Sequence, residues 1–227
     1  MGYDDRYDPE ADFDRWYTLG TARAIAAWLR PGDSVLELGC ATGLMTESMV
    51  GEGVTVHGVD RSARYLERAR ARALPSTTFT EHDVTTVDLG TTFDHVVIAN
   101  VVHEVPDPAA LFSVVRRHLR PGGLAHVTVP NPRSLHRLVG VEMGLLPDTA
   151  ALSERAASLE TLHALDIDAV ERLAAAVGLS AVLRGGVMVK PLPNALMAEL
   201  PHEVLEGLLG AARHLPELCA MSYVVLR

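Results

Sequence analysis

Four places where an apolar run meets a polar turn hold residues whose types and spacing could do chemistry. The first is residues 35–43 (VLELGCATG), where Glu37 precedes Gly39, Cys40 and Gly43. Glycines there let backbone N–H groups and the N-terminus of a following helix approach a ligand closely. The spacing is not the G-x-G-x-x-G of a pyrophosphate cradle. Glu37 would repel a diphosphate, whereas it suits a ligand bearing an ammonium group. The second place is Asp60, closing VTVHGVD about twenty residues on, where an acid can accept hydrogen bonds from both hydroxyls of a ribose. The third is Glu81-His82-Asp83-Val84: Asp83 can accept from an exocyclic adenine amine while Val84 packs on the ring, or Asp83 can simply cap its loop. The fourth is residues 99–107 (ANVVHEVPD), which put His103 a few residues past an apolar run. An imidazole there either takes a proton near neutral pH or hydrogen-bonds the backbone at a helix start.

The segments between these places alternate in period. Residues 34–38, 54–60, 77–80, 93–99 and 124–129 read as strands. Residues 93–99 are apolar at nearly every position, as a parallel strand covered on both faces must be. Helices are expected over 21–29, with Ile25, Trp28 and Leu29 on one side, from Gly43 to about Val50, and over 62–73. Another should run from Asp107-Pro108 to Arg120-Pro121-Gly122-Gly123, since Asp followed by Pro is a helix-start pair. Strands alternating with helices imply right-handed crossovers and a doubly wound α/β sheet. Residues 3–17 read as an irregular or partly helical arm. After Pro130 the rhythm breaks, and residues 130–167 read as an insertion with helical pieces above the sheet. Asp168-x-x-Glu171 then opens a helix burying Val170, Leu173, Ala174 and Val177. Strands over 179–183 and 223–226, with an amphipathic helix over 203–215 between them, complete the chain.

The chain has 227 residues, 48% of them hydrophobic, and a net charge of −9. That supports one large domain without an internal boundary. So acidic a chain lacks the basic footprint of a nucleic-acid binder. No apolar run is long enough for a membrane span, and the first residues are acidic rather than signal-like. The two cysteines, Cys40 and Cys219, are far apart, which excludes a disulfide scaffold and a C-x-x-C zinc site. A cytoplasmic globular protein without a metal is expected.

The ordered segments ELGCATG, VHGVD, HDV, FDHVVIANVVHEVPDP and LRPGGLAHVTVP resemble the successive motifs of class I S-adenosylmethionine-dependent methyltransferases, most of all small-molecule enzymes of the UbiE-like kind. The resemblance covers roughly residues 20–130; Ala41 stands where a middle glycine is usual, at little expected cost. It implies a Rossmann-like seven-stranded, mostly parallel sheet whose last strand, supplied by residues 220–226, runs antiparallel beside the fifth. Residues 1–30 would be an N-terminal arm, lid and helix, 31–130 the cofactor half, 130–167 an acceptor-covering insertion and 168–227 the rest of the sheet. The cofactor would be S-adenosyl-L-methionine, released as S-adenosyl-L-homocysteine. By the same resemblance Glu37 would hold the methionine amino group, and Gly39, with Cys40 and Gly43 of the same turn, would approach methionine and ribose. Asp60 would bind the ribose, Arg61 would flank the adenine, and Asp83 and Val84 would hold it. The backbone at Asn100, beside Val101, would accept from the ammonium, and Tyr17 or Trp16 would close over the cofactor.

The expected reaction is in-line methyl transfer to a small-molecule hydroxyl or carboxyl oxygen of a natural-product or sugar intermediate, with a small-molecule amine or a non-catalytic cofactor-binding subunit as alternatives. His103 is the first candidate base, and His136 and His163 in the insertion follow. His57, His95 and His126 lie within strands and are expected in the sheet. Residues 131–135, 141–146 and 185–191 resemble acceptor-covering segments. Met143, Met188 and Met197 would line an apolar pocket or, more simply, the core. Lys190 and Arg133 could attract an anionic acceptor, though each is read first as a solvated surface charge. The wrong turn spacing argues against a nicotinamide oxidoreductase, and the missing Asn/Asp-Pro-Pro-aromatic sequence against a base methylase. A monomer or homodimer is expected.

Overall fold

The computed structural model describes residues 3–51, 53–151 and 161–227. Its centre is a seven-stranded sheet in the order β3-β2-β1-β4-β5-β7-β6. The strands are β1 (Ser34–Leu38), β2 (Thr55–Asp60), β3 (Thr77–Glu81), β4 (Phe93–Ala99), β5 (Leu119–Pro130), β6 (Ala181–Val189) and β7 (Cys219–Leu226). The first five are parallel, and β7 runs antiparallel between β5 and β6. Since β6 is antiparallel to β7, it points the same way as β5. The carboxyl ends of β1–β6 therefore share one edge, where open α/β sheets bind ligands.

Both sheet faces are covered, which is why β1 and β4 read as unbroken apolar runs. Leu36, Leu38, Val96 and Ile98 face one side and pack with Leu111, Phe112 and Val115 of α5 (Pro108–His118). Val35, Val56 and Val97 face the other, against Ile25 of α2 (Arg15–Ala26), which follows the one-turn α1 (Tyr3–Arg6). Caps set several helix starts: Asp107 accepts from the Ala110 N–H at 3.0 Å, and Ser62 accepts from Tyr65 at 3.1 Å to begin α4 (Ala63–Ala71). Such caps are worth about 1 kcal/mol each.

Several expected boundaries are corrected. Helix α2 starts at Arg15, six residues before the expected 21, and Trp28 and Leu29 lie beyond its end. Helix α5 stops at His118, and the chain enters β5 at Leu119 without an intervening turn. The helix expected from Asp168 spans Ile167–Ala176, because Asp166 is the cap and accepts from Ala169 at 2.8 Å. Asp168 and Glu171 instead pair with Arg184 at 2.8 and 2.6 Å. The sixth strand extends to Val189, so Gly185–Val189 is sheet and not a covering loop. The amphipathic helix is His202–Ala211, with Val204 exposed. Of the insertion, α6 (Leu135–Glu142) is helical, and residues 152–160 fall outside the described residues. Among the described residues no helix is long and apolar enough to cross a membrane.

Behind the sheet's opposite edge lies a polar chain. Asp33 meets His95 Nε2 at 3.2 Å, His95 Nδ1 meets His126 Nε2 at 3.0 Å, and His126 Nδ1 meets the Tyr223 hydroxyl at 2.8 Å. Of the histidines expected in the sheet, His95 and His126 are satisfied there, as buried polar groups must be, and His57 lies 2.9 Å from each of the Thr78 and Thr80 hydroxyls.

Candidate active site

A cleft of about 720 Å³ opens along the carboxyl edge of the sheet. Glu37, Gly39, Cys40, Asp60, Arg61, Asp83, Val84, Asn100, Val101, His103, His136 and Tyr17 all line it. Gly43 does not; it is the residue before α3 (Leu44–Met49), with φ +77°. A Cβ there would lie 3.2 Å from that of Ala69, so Gly43 serves the packing of α3 on α4. His163 also lies outside the cleft, beside a smaller groove, with Nε2 on the Val105 carbonyl at 3.1 Å. Trp16 faces away, its ring 5.2 Å from that of His202.

Each strand end presents its group differently. Glu37 is 3% exposed and accepts from Thr46 Oγ1 at 2.5 Å; burial pushes its carboxyl up to about 8. Asp60 accepts from the Ala41 and Ser62 N–H groups, each at 2.9 Å. Burial raises its pKa against the pull of those donors. Each oxygen takes one of these donors and has capacity for a second, and Asp60 lines the cleft. Asp83 is exposed and accepts from the Thr85 N–H and hydroxyl at 2.8 and 2.6 Å, which hold it below the usual carboxylate range. The loop-cap alternative thus describes Asp83's own bonds, while its position stays on the cleft wall.

Close backbone approach depends on Gly39. Its φ is +85°, and a Cβ would come within 2.3 Å of Val101 Cγ2. Asn100 also has positive φ, +59°, a conformation that Asn tolerates better than most residues. The N-terminal arm is fastened above these groups: the Tyr65 hydroxyl donates to the Tyr7 carbonyl at 2.6 Å, and Arg72 pairs with Glu10 at 2.8 Å.

The opposite flank of the cleft holds His103, His136, Arg137 and Lys190. Burial drives the His103 pKa down to about 4 and that of His136 to about 3, so both rings are neutral at pH 7. Nδ1 of each is buried and has no hydrogen-bond partner among the described residues. Lys190 is 6% exposed, which corrects its reading as a surface charge; Arg133 is exposed as expected. Met188 and Met197 are fully buried in the core and Met143 is 66% exposed, so none forms an acceptor pocket. Met45 and Met221 line the cleft instead.

Thr46, Arg137, Asn194 and the burial of Lys190 carry no motif in the sequence. One signal is present: Lys190 is the sole lysine in a chain that otherwise uses arginine.

Comparison with known proteins agrees with this architecture. Residues 14–183 match the family described as "Methyltransferase domain". The chain is 29% identical over 143 residues to ubiquinone biosynthesis O-methyltransferase of Thiobacillus denitrificans, covering 60% of this chain and 62% of that one. It is 35% identical over 114 residues to trans-aconitate 2-methyltransferase of Deinococcus radiodurans, covering 48% and 43%. The chain therefore spans less than two thirds of the length of these curated relatives. Magnesium protoporphyrin IX methyltransferase from Synechocystis PCC 6803, solved with bound S-adenosylhomocysteine, shares the fold with a TM-score of 0.61 at 17% identity, over 92% of this chain and 82% of that one. With three quarters of its length matched, the chain belongs to the methyltransferase-domain family, in its S-adenosylmethionine-dependent class I branch.

Proposed function

We propose that this chain transfers a methyl group from S-adenosylmethionine to an oxygen of a small molecule. The observation that carries the reading is the convergence of Glu37, Asp60 and Asp83, from three adjacent strand ends, on one cleft beside the open backbone of Gly39. The group chemistry fits. Glu37 suits an ammonium, the free lone pairs of Asp60 suit paired hydroxyls, and Val84 beside Asp83 suits a flat amine-bearing ring. The Asn100 carbonyl would take a second ammonium proton, and Tyr17 in the arm would cover the bound nucleoside.

When bound, the cofactor supplies an electrophilic methyl whose bonding pair leaves with sulfur. The protein's part is alignment of acceptor and methyl, together with removal of a proton where the acceptor is a hydroxyl. Neutral His103 is the group suited to take that proton, although a pKa of about 4 makes it a weak base. A carboxylate acceptor needs none. Oxygen is favoured because the similar relatives include a ubiquinone biosynthesis O-methyltransferase. A cleft of about 720 Å³ lies in the usual range for small-molecule sites and suits a natural-product or sugar intermediate. We take the whole chain as one domain, with residues 1–30 as the arm that closes the site.

Thermal unfolding tests the reading. S-adenosylmethionine and S-adenosylhomocysteine at about 100 times Kd should stabilise by about 2.7 kcal/mol. NADPH should do nothing; stabilisation by NADPH alone would overturn the proposal.

A further inference from the structure

On the cofactor side of the cleft, the arm, the glycine turn and α3 meet on one guanidinium. Arg72 caps the carboxyl end of α4, and its Nε donates to the Thr42 carbonyl at 2.7 Å. Its Nη2 pairs with Glu10 of the N-terminal arm at 2.8 Å, and its Nη1 pairs with Glu47 of α3. We propose that Arg72 is a positioning residue that fastens the arm to the glycine turn. Opening of its contact with Glu10 then sets the rate at which the nucleoside cofactor exchanges. This rests on the methyltransferase reading of the same cleft and adds what governs entry to it.

The turn needs such a fastener. Gly39, Ala41 and Gly43 all have positive φ, so its backbone is neither helix nor strand. From the sheet it is held by its amides: Gly39 and Cys40 donate to the Val59 carbonyl at 2.8 and 3.1 Å, and Ala41 donates to Asp60. From α4 it is held by Arg72 through the Thr42 carbonyl. The stem of Arg72 packs on the turn as well, since a Cβ at Gly43 would stand 3.3 Å from Arg72 Cδ. Its side chain is only 16% exposed. A planar guanidinium can serve three acceptors at once from that position, whereas an ammonium lacks the fixed fork.

The arm covers the same stretch of cleft. Asp4, Tyr7 and Pro9 line it together with Asp60, Ser62 and Tyr65. The arm's other fasteners also come from α4 and its cap. Ser62 Oγ donates to Asp4 at 2.6 Å, and the Tyr65 hydroxyl donates to the Tyr7 carbonyl at 2.6 Å. Arg68 pairs with Asp8 at 3.1 Å and with Glu10 at 2.9 Å. The Arg68–Asp8 pair is exposed on both sides, which makes it weak and sensitive to salt. Arg72 differs in being largely buried and in touching the turn as well as the arm. A nucleoside seated at Asp60 lies beneath the arm, so its release lifts the arm and parts Glu10 from Arg72.

Release of radiolabelled S-adenosylhomocysteine into an excess of unlabelled compound reads the exchange rate directly. Arg72→Met should speed release about tenfold and Glu10→Gln about threefold, with no further gain in the double variant. Arg72→Lys keeps the charge without the fork and should release more like Arg72→Met than like the wild type. A purely structural role would lower Tm and leave the release rate unmoved. Hydrogen exchange of the free protein gives a second readout: Arg72→Met should speed exchange in residues 3–17 and 39–43 and leave β4 and β5 protected. Release at wild-type speed in Arg72→Met, or additive effects of the two substitutions, would overturn the proposal. Where Arg72→Met fails to fold, Glu10→Gln decides, and unchanged release in it would overturn the proposal equally. S-adenosylhomocysteine that fails to bind the wild type would sink the methyltransferase reading. Faster exchange of arm and turn in Arg72→Met would then leave the fastening standing, and unchanged exchange would sink it as well.

Discussion

The hydroxyl of Thr46 donates to Oε2 of Glu37 at 2.5 Å, in a site where Glu37 is 3% exposed. One hydrogen bond does not offset the burial, and the carboxyl rises to about 8. It is therefore largely protonated at neutral pH in the free protein. An ammonium placed against it favours the ionised form, so binding should expel a proton. Cofactor affinity should then rise with pH between about 6 and 7, below the range in which a free α-amino group titrates. Calorimetry in two buffers of different protonation enthalpy should detect the released proton, and Glu37→Gln should abolish it and weaken binding about tenfold. No proton release in the wild type would remove Glu37 from the ammonium site.

Asp60 Oδ2 also accepts from the N–H of Ala41, which it holds at φ +44°. The expectation that alanine costs little at this turn is thereby corrected, since a left-handed alanine costs about 1–2 kcal/mol. Glycine takes the same conformation freely but loses about 0.5–1 kcal/mol more entropy on folding. Ala41→Gly should therefore stabilise the protein by about 0.5–1 kcal/mol, a rise of about 2 °C in Tm. A fall in Tm would show that Ala41 is not strained.

His103 lines the cleft beyond β4, with its Nδ1 buried and unpartnered among the described residues. If a hydroxyl is methylated, His103→Ala should lower kcat by about 10²–10⁴. The dissociation constant for S-adenosylhomocysteine should stay near that of the wild type. With a carboxylate as the methylated group, kcat should hardly change, because there is no proton to remove. Unchanged turnover with a hydroxyl acceptor would exclude His103 as base.

The cofactor half was legible because each of its groups closes a strand, and these strands are local and doubly covered. Glu37, Asp60 and Asp83 follow from strand order alone once β1, β2 and β3 are recognised. The flank that holds Lys190 is not legible for the same reason in reverse. Lys190 reaches the cleft only because β7 returns antiparallel between β5 and β6, a pairing with no local signature. Edge strand β6 lacks the continuous apolar run of a central strand, so the sequence pattern marks only part of its length. Chain position alone points His163 toward the roof, whereas its ring satisfies a backbone carbonyl.

The buried polar chain through His126 sets the acid limit of the fold. His126 is 1% exposed, and burial, helped by His95, lowers its pKa to about 3. The unfolded chain takes up this proton near pH 6.5, whereas the native state does so only near 3. Between those values the unfolded state binds more protons, so stability is complete above about 6.5 and declines as pH falls, by up to about 1.4 kcal/mol per pH unit for this one ring. His103 and His136 add losses of the same sign, down to about 4 and 3. Glu37 acts oppositely, because its raised carboxyl favours the native state below about 8 and that contribution is lost as pH rises from 4.5. Free-protein stability should therefore peak near pH 6.5, with Glu37→Gln removing much of the decline above it. Tyr223→Phe withdraws the hydroxyl from His126 Nδ1 and should cost about 1–3 kcal/mol at neutral pH. Urea unfolding across pH 4–8 measures both effects. A stability that rises steadily toward acid, or a Tyr223→Phe protein as stable as the parent, would contradict a neutral histidine held in that chain.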